Sequence, residues 1–350
     1  MTSVAQSFIT RWDLDKTYLR SRFDTLSDLV SSALEKVEQK RTVPGATAVL
    51  RELGHSGGRV HILSGSPRQF RNRLMAKLRL DGVSWDELTL KPNLSNLLRM
   101  RLYALRDQLG YKLPELLEAR ARDEQRFGSG LKLREVLVGD DSESDAFVYS
   151  LYADLSSGDV AAAELERVLD AGNLGERTIS RCRKALARLR HEGAIDCILI
   201  HLDGQTPPSL FARYGARLVP FYNYLQAAFV LLDRGFLSEA STLNIASEFM
   251  QSLGFTPDAA ARSYLDLVRR GHLGEGARVR LLRGIEQRGS APNDGSSASH
   301  LQDFAAALVK LPIEGSVPPS MGRKQRPDYL ELAAFHGGGR NRRRPGQRFG

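Results

Sequence analysis

The stretch Phe8-Ile9-Thr10-Arg11-Trp12-Asp13-Leu14-Asp15-Lys16-Thr17 opens as a short, mainly apolar strand and ends in two carboxylates. Residues i and i+2 of an extended segment point the same way. Asp13 and Asp15 can therefore face one ligand at the strand's carboxyl end while Leu14 is buried on the other side. Such a pair can divide nucleophilic and proton-transfer roles.

Working outward from this strand, helical and extended patterns alternate. Leu26, Leu29, Val30, Ala33, Leu34 and Val37 recur at helical spacing between Thr25 and Lys40. Thr42-Val43-Pro44-Gly45-Ala46 is a turn that opens a second helix, running to about Leu53-Gly54. Arg59 to Leu63 is an apolar strand that breaks into Ser64-Gly65-Ser66-Pro67, and a helix over Gln69 to Leu80 and a strand over Leu88 to Leu90 follow. The spacing is helical from Leu94 to Arg126, with a break expected at Gly110 and Tyr111. Glu135 to Gly139 is a fourth strand, ending in Asp140-Asp141-Ser142-Glu143-Ser144-Asp145.

Two helices between Ala161 and His191 interrupt the alternation as an insertion, about residues 156–193. Cys197 to Leu202 resumes it, with a further strand from Arg217 to Phe221 and a helix from Tyr224 to Asp233. Strands alternating with helices indicate an α/β domain over residues 1–235 with a doubly wound, mostly parallel sheet. Residues 236–288 are expected to be an α-helical extension, with two helices between Ser238 and Arg270. Residues 289–350 are expected to be a linker, one helix from Ser299 to Leu311 and a disordered basic tail.

Composition narrows the function classes. The apolar share of 42% and charged share of 26% are those of a soluble globular protein. No apolar run is long enough for a transmembrane helix, and residues 1–10 lack the pattern of a secretory signal. Two cysteines, Cys182 and Cys197, fit a reduced cytoplasmic setting better than a disulfide framework. The net charge is +9, and residues 322–350 hold eight Arg or Lys against Asp328 and Glu331. Two thirds of the excess thus sits in the tail, which could contact anionic lipid or nucleic acid. His61 and His201 lie on apolar strands as core histidines, and no Cys or His cluster has zinc spacing.

In a doubly wound sheet, ligand sites gather outside the carboxyl ends of the strands. Three strands here end there in polar groups: Asp13 with Asp15, Ser64 with Ser66, and Asp140 and Asp141 with Asp145. Carboxylates brought together repel unless a hard cation neutralises them, and an oxygen-only ligand set suits Mg²⁺. A carboxylate beside such an ion is a good nucleophile toward phosphorus.

These motifs resemble the haloacid dehalogenase superfamily of phosphohydrolases: Asp-x-Asp-x-Thr at Asp13 to Thr17, a strand-terminal Ser64, and Gly-Asp followed by a later Asp at Gly139, Asp140 and Asp145. Within it, Leu63 to Pro67 and Val138 to Asp145 are most similar to the catalytic domain of the actin-patch phosphatidate phosphatases, over about residues 6 to 235. The resemblance implies a Rossmann-like sheet and a Mg²⁺-dependent phosphatase. Asp13 would be the nucleophile forming an aspartyl phosphate, and Asp15 the acid to the leaving group and base to water. Ser64 would donate to a phosphoryl oxygen, and Lys112 would offset negative charge, with Lys91 and Lys132 as rivals for that place. Asp13, Asp15 through its backbone carbonyl, and Asp140 would hold Mg²⁺, while Asp145 or Asp141 would act through a metal-bound water or orient Lys112. Lys16 stands where that group usually has an acid and Arg68 where it often has Trp.

The expected activity is hydrolysis of a bulky phosphomonoester, such as phosphatidate, by a cytoplasmic protein that can also sit peripherally at a membrane. Two alternatives stand beside it: a catalytically silent interaction protein of the same fold, and a polynucleotide-end phosphatase whose Arg-rich tail grips the backbone.

Overall fold

The computed structural model describes residues 8–20, 41–91, 104–128, 132–142, 144–192, 194–289, 297–312 and 326–337. Its strands are β1 (Phe8–Trp12), β2 (Gly58–Pro67), β3 (Glu87–Lys91), β4 (Arg134–Asp140), β5 (Ala194–His201) and β6 (Leu218–Phe221). They form one six-stranded sheet in the order β3-β2-β1-β4-β5-β6, with every neighbouring pair parallel. This is the strand order of a doubly wound, Rossmann-like sheet, and it reverses direction between β1 and β4. Trp12 is in register with both Ile62 and Val138, and the Asp13 amide donates to the Val138 carbonyl at 2.9 Å. Asp13 therefore leaves the sheet at the switch point.

The helices are α1 (Ala46–His55), α2 (Arg71–Leu80), α3 (Ala104–Phe127), α4 (Asp145–Ser156), α5 (Ala162–Ala171), α6 (Glu176–Leu186), α7 (Tyr224–Asp233), α8 (Glu239–Ser252), α9 (Pro257–Arg269), α10 (Glu275–Gly289), α11 (Ser297–Val309) and α12 (Tyr329–Gly337). Period-two alternation divides the strand side chains between two cores. Trp12, Ile62, Val138, Leu199 and Phe221 face a core closed by α1, α2 and α7, which continues into α8 to α11 through Phe249, Tyr264, Leu281 and Phe304. Leu63, Leu137, Ile198, Ile200 and Leu218 face the other core, closed by α3 to α6 and by Tyr329 and Leu332 of α12.

The extension is thus packed into the first core. Gly45, at φ 82° in the left-handed region, starts α1, and a Cβ there would lie 2.3 Å from the Phe249 ring. Only glycine allows that approach. Capping explains where several of these helices begin. Asn223 accepts from the Gln226 amide, Ser238 from Ser241, and Thr256 from Ala259, with Pro257 in the first turn.

Two elements differ from expectation, and a third carries it further. The break foreseen at Gly110 and Tyr111 is absent, and α3 runs through Pro114. An internal proline costs a helix about 3 kcal/mol, but Leu109, Leu113, Leu116 and Leu117 are all buried in the second core, and their burial offsets that cost. Helix α10 falls within the segment expected to be a helical extension, in an Arg- and Gly-rich stretch beyond the two helices delimited there. It forms because Arg280 pairs with Glu239 at 2.7 Å and Gly284 lies close against Glu239 and Leu243. Part of the segment expected to be a disordered tail is helical: the Tyr329 hydroxyl donates to Asp154 at 2.6 Å, and Arg326 donates to the Asp159 carbonyl at 2.6 Å and pairs with Glu164. The helix expected at Thr25 to Lys40 and the Arg-rich run from Arg340 lie outside the described residues. Among the described residues, no helix is long and apolar enough to cross a membrane.

A buried ionic network lies under the second face. Arg11 of β1 donates to Glu135 at 3.0 and 3.1 Å, to Asp123 at 2.7 Å and to His61 Nδ1 at 3.1 Å. Arg120 and the Tyr152 hydroxyl complete the shell of Glu135 at 3.0 and 2.8 Å. Burial alone would raise the Glu135 carboxyl, but Arg11 and Arg120 hold it down to about 2. Burial and Arg11 lower the His61 imidazole to about 4, and burial with Arg270 and Arg234 does the same to His272.

These shifts define two pH windows. As pH falls from about 6.5 to 4, the unfolded chain protonates the two imidazoles while the folded chain does not, so stability drops. The contribution of Glu135 is present above about 4.5 and is lost toward pH 2. Urea unfolding at pH 7 and pH 4.5 should show a lower midpoint at the acid pH, and the drop should be clearly smaller in a His61→Gln/His272→Gln double variant. An equal drop in both proteins would mean that the imidazoles are not its source.

Candidate functional site

The carboxyl ends of β1 and β4 bring Asp13 and Asp140 side by side, and the first turn of α4 adds Asp145. One carboxylate oxygen from each of the three lies within 4.8 Å of the others, and all three residues are buried. Lys112 of α3, fully buried, enters this group with its Nζ 3.0 Å from Asp13 Oδ1 and 2.5 Å from Asp145 Oδ1. Of the three candidate lysines, Lys112 is the one at the carboxylates. Lys91 lies over the Tyr111 ring at 5.6 Å, and Lys132 is exposed just before β4, at the opposite edge of the sheet.

Each acid has a fixed setting. Asp145 Oδ2 accepts from the Asp140 amide at 3.3 Å, so Asp145 orients Lys112 while bracing the end of β4. Asp140 accepts from the Ser142 amide at 2.7 Å and from the Thr17 hydroxyl at 3.4 Å. Asp15 is half-buried, and its Oδ2 accepts from the hydroxyls of Ser64 at 3.1 Å and Ser66 at 3.0 Å. Ser64 Oγ accepts in turn from the Ser66 amide at 2.9 Å. The side chain of Asp15 is thus directed to the serines. Asp141 is not at the site: its carboxylate accepts from the amides of Gly204 at 2.7 Å and Thr206 at 2.9 Å and staples that loop.

The loop from Asp13 to Thr17 is held from both sides. Lys16 adopts φ 59°, an uncommon conformation for a side chain without a local polar group. Its amide donates to the Leu19 carbonyl at 2.8 Å, and its own carbonyl is 3.3 Å from His201 Nδ1, which donates to it. Burial lowers the His201 imidazole below its ordinary range, which the bond to Lys16 and the nearby Asp203 and Asp141 oppose. The Tyr224 hydroxyl donates to the Thr17 carbonyl at 2.6 Å, and the Tyr111 hydroxyl donates to the Ser64 carbonyl at 3.0 Å.

Sequence reasoning missed Tyr111, Tyr224 and the part played by His201. Each acts on backbone contributed by a distant segment, so only the fold reveals the contact. Cys182 and Cys197 carry no chemistry here, since burial pushes both thiols up to about 12. A cavity of about 380 Å³ between the 208–216 segment and the end of α9 is lined by Phe211, Leu218, Pro220, Arg270 and His272 among others. It contains none of the site carboxylates.

Gly139 is packed directly against Asp145. A Cβ there would lie 2.3 Å from Asp145 Oδ2 and 2.8 Å from its Cβ. Gly139→Ala should displace Asp145 from Lys112 and lower stability by about 1 to 3 kcal/mol, read as a shift in the urea midpoint. An unshifted midpoint would mean that the end of β4 adjusts freely. No family model, curated protein or solved structure matches this chain.

Proposed function

We propose that this chain is a Mg²⁺-dependent phosphomonoester hydrolase that acts through an aspartyl phosphate on Asp13. The observation that carries this reading is the buried meeting of Asp13, Asp140, Asp145 and Lys112 at the switch point, beside an Asp15 held by two serine hydroxyls. Outside that setting such a cluster is costly. If all four groups ionise, three carboxylates and one ammonium leave two net negative charges in a buried site, a natural receptor for a divalent cation.

The donor set fits Mg²⁺, being oxygen-only and closely grouped. Asp13, Asp140 and the Asp15 backbone carbonyl would hold the ion, with Asp145 behind them holding Lys112. When bound, the ion supplies positive charge to the phosphoryl oxygens.

The side chains divide the reaction as follows. An Asp13 oxygen attacks phosphorus, the new O–P bond forming as the ester P–O bond breaks, and Asp15 gives its proton to the departing oxygen. Lys112 offsets the charge that builds on Asp13 and the phosphoryl group. Asp15, now a carboxylate, takes a proton from water, whose oxygen attacks phosphorus and breaks the Asp13–P bond. Inorganic phosphate leaves and Asp13 is regenerated. Ser64 and Ser66 keep Asp15 turned toward the leaving oxygen, and Ser64 can pass its hydroxyl bond to a phosphoryl oxygen.

Phosphate release from a panel of phosphomonoesters, including phosphatidate in mixed micelles, tests this reading. Turnover should need Mg²⁺ and vanish in EDTA. Asp13→Asn should reduce it by about 1,000-fold or more, and Asp15→Asn by about 100- to 10,000-fold. Acid quenching with labelled substrate should leave phosphate on the intact protein and none on Asp13→Asn. Turnover retained by Asp13→Asn would refute the mechanism.

Cation binding has its own readout. Mg²⁺ at concentrations well above its dissociation constant should raise the melting temperature, and Asp140→Asn should reduce that rise. Identical melting with Mg²⁺ and with EDTA would remove the metal from the proposal.

A further inference from the structure

We propose, resting on the phosphatase reading above, that Gln108 selects the substrate: its side-chain oxygen receives a hydroxyl carried on the carbon next to the phosphorylated one, so the preferred substrate is a phosphorylated polyol. Gln108 is buried, with 5% of its surface exposed, and its Oε1 has no hydrogen-bond partner among the described residues. Buried polar atoms are almost always paired. Serine hydroxyls in the same condition, those of Ser150 and Ser156 in α4, can turn to a carbonyl of their own helix. A glutamine oxygen needs a donor brought to it.

Helix α3 fixes where that oxygen lies. Lys112 meets Asp13 and Asp145, and Asp123 meets Arg11 at 2.7 Å. Passing back along the helix from Asp123 to Lys112 therefore follows β1 from Arg11 to Asp13, and Gln108 comes one turn further, about 6 Å beyond Lys112 along the axis. That is outside the carboxyl end of β1, on the side where a substrate lies. At about 100° per residue, Gln108 falls between Tyr111 and Lys112 around the axis. The Tyr111 hydroxyl reaches the Ser64 carbonyl at 3.0 Å, so these two neighbours point to the Ser64 and Asp13 ends of the site. Leu109 and Gly110 are turned elsewhere, toward Gly172 and Leu174. Gln108 overhangs the line from Asp13 to Ser64.

Since Lys112 meets the phosphoryl group itself, a group that reaches Gln108 belongs to the alcohol part, close to the ester oxygen. At that range a phosphomonoester can offer a hydroxyl or an N–H. The hydroxyl fits better, because the Gln108 amide carries an NH₂ beside its oxygen and a hydroxyl can both donate and accept. A backbone N–H only donates. Phosphatidate, whose remaining glycerol oxygens are acylated, offers neither.

The test compares kcat/KM of the full chain, with Mg²⁺, for propane-1,2-diol 1-phosphate and propyl phosphate, which differ by one hydroxyl. The diol ester should be preferred about tenfold or more, the scale of one hydrogen bond to an otherwise unpaired buried group. Gln108→Met keeps the length of the side chain and removes the acceptor, and should bring the ratio to within about twofold of one. It should also leave the urea midpoint unchanged or raise it, because the lost oxygen has no partner within the fold. Equal kcat/KM for the two esters, a preference that survives in Gln108→Met, or a clearly lowered midpoint in that variant would overturn the inference. Calorimetric binding of both esters to Asp13→Asn separates the possible failures. A binding preference without turnover by the intact protein defeats the phosphatase reading alone, turnover without preference defeats this inference alone, and the absence of both defeats both.

Discussion

The constraint on which the rest of the structure depends is the burial of one ammonium, that of Lys112, between carboxylates that cannot otherwise be buried together. Withdrawing each ion from water costs several kcal/mol, about as much as a small domain's whole margin of stability. Contacts of 3.0 Å to Asp13 and 2.5 Å to Asp145 return that cost only because every participant is positioned by something rigid. Asp13 and Asp140 leave paired central strands, and Asp145 begins a helix whose twelve residues are all buried. A loop-borne acid would drift away from such a site, but these cannot.

The position of Lys112 has its own guarantee further along α3. Lys112, Leu116, Ala119 and Asp123 recur every three to four residues and share one stripe of the helix. Asp123, three turns on, meets Arg11, and Arg11 is two residues before Asp13 on the same face of β1. Strand and helix are therefore joined by ion pairs at two places. A slip of either element by one residue would strand several buried charges at once. Buried ion pairs seldom add net stability, but they penalise every wrong register. In this fold the network around Arg11 and Glu135 serves the site by fixing the helix that carries Lys112.

Much of this was legible in the sequence because it depends on local pattern. Period-two apolar runs mark the central strands, and the polar groups that end three of them, Asp13 with Asp15, Ser64 with Ser66, and Asp140 with Asp145, come together at one sheet edge as expected. What was not legible depends on partners far away in the chain. Helix α3 survives Gly110 and Pro114 because of the core against it. The two-residue pattern at Tyr329 and Leu332 is too short to stand out from a basic tail, yet Asp154 and the second core receive it. Arg11 could be placed on a strand, but nothing local announces the buried acids that make it tolerable there.

The same division between local pattern and distant support explains why the loop after Asp13 can be both strained and exact in position. Lys16 sits at positive φ, at a cost of about 1 to 2 kcal/mol for a residue of this type. The loop pays through bonds from each layer of the molecule: Tyr224 of α7 to the Thr17 carbonyl, His201 at the end of β5 to the Lys16 carbonyl, and Ser64 and Ser66 of β2 to the Asp15 carboxylate. Trp12 and His201 stack on Tyr224 at 5.7 and 5.5 Å, so the ring that holds Thr17 is itself held by the strand that precedes the loop. Since α7 belongs to the core that includes the helical extension, and Lys112 to the opposite core, Asp13 and Asp15 are positioned only when both layers close on the sheet. The extension and the insertion, though neither supplies a carboxylate, are in this way part of what builds the site.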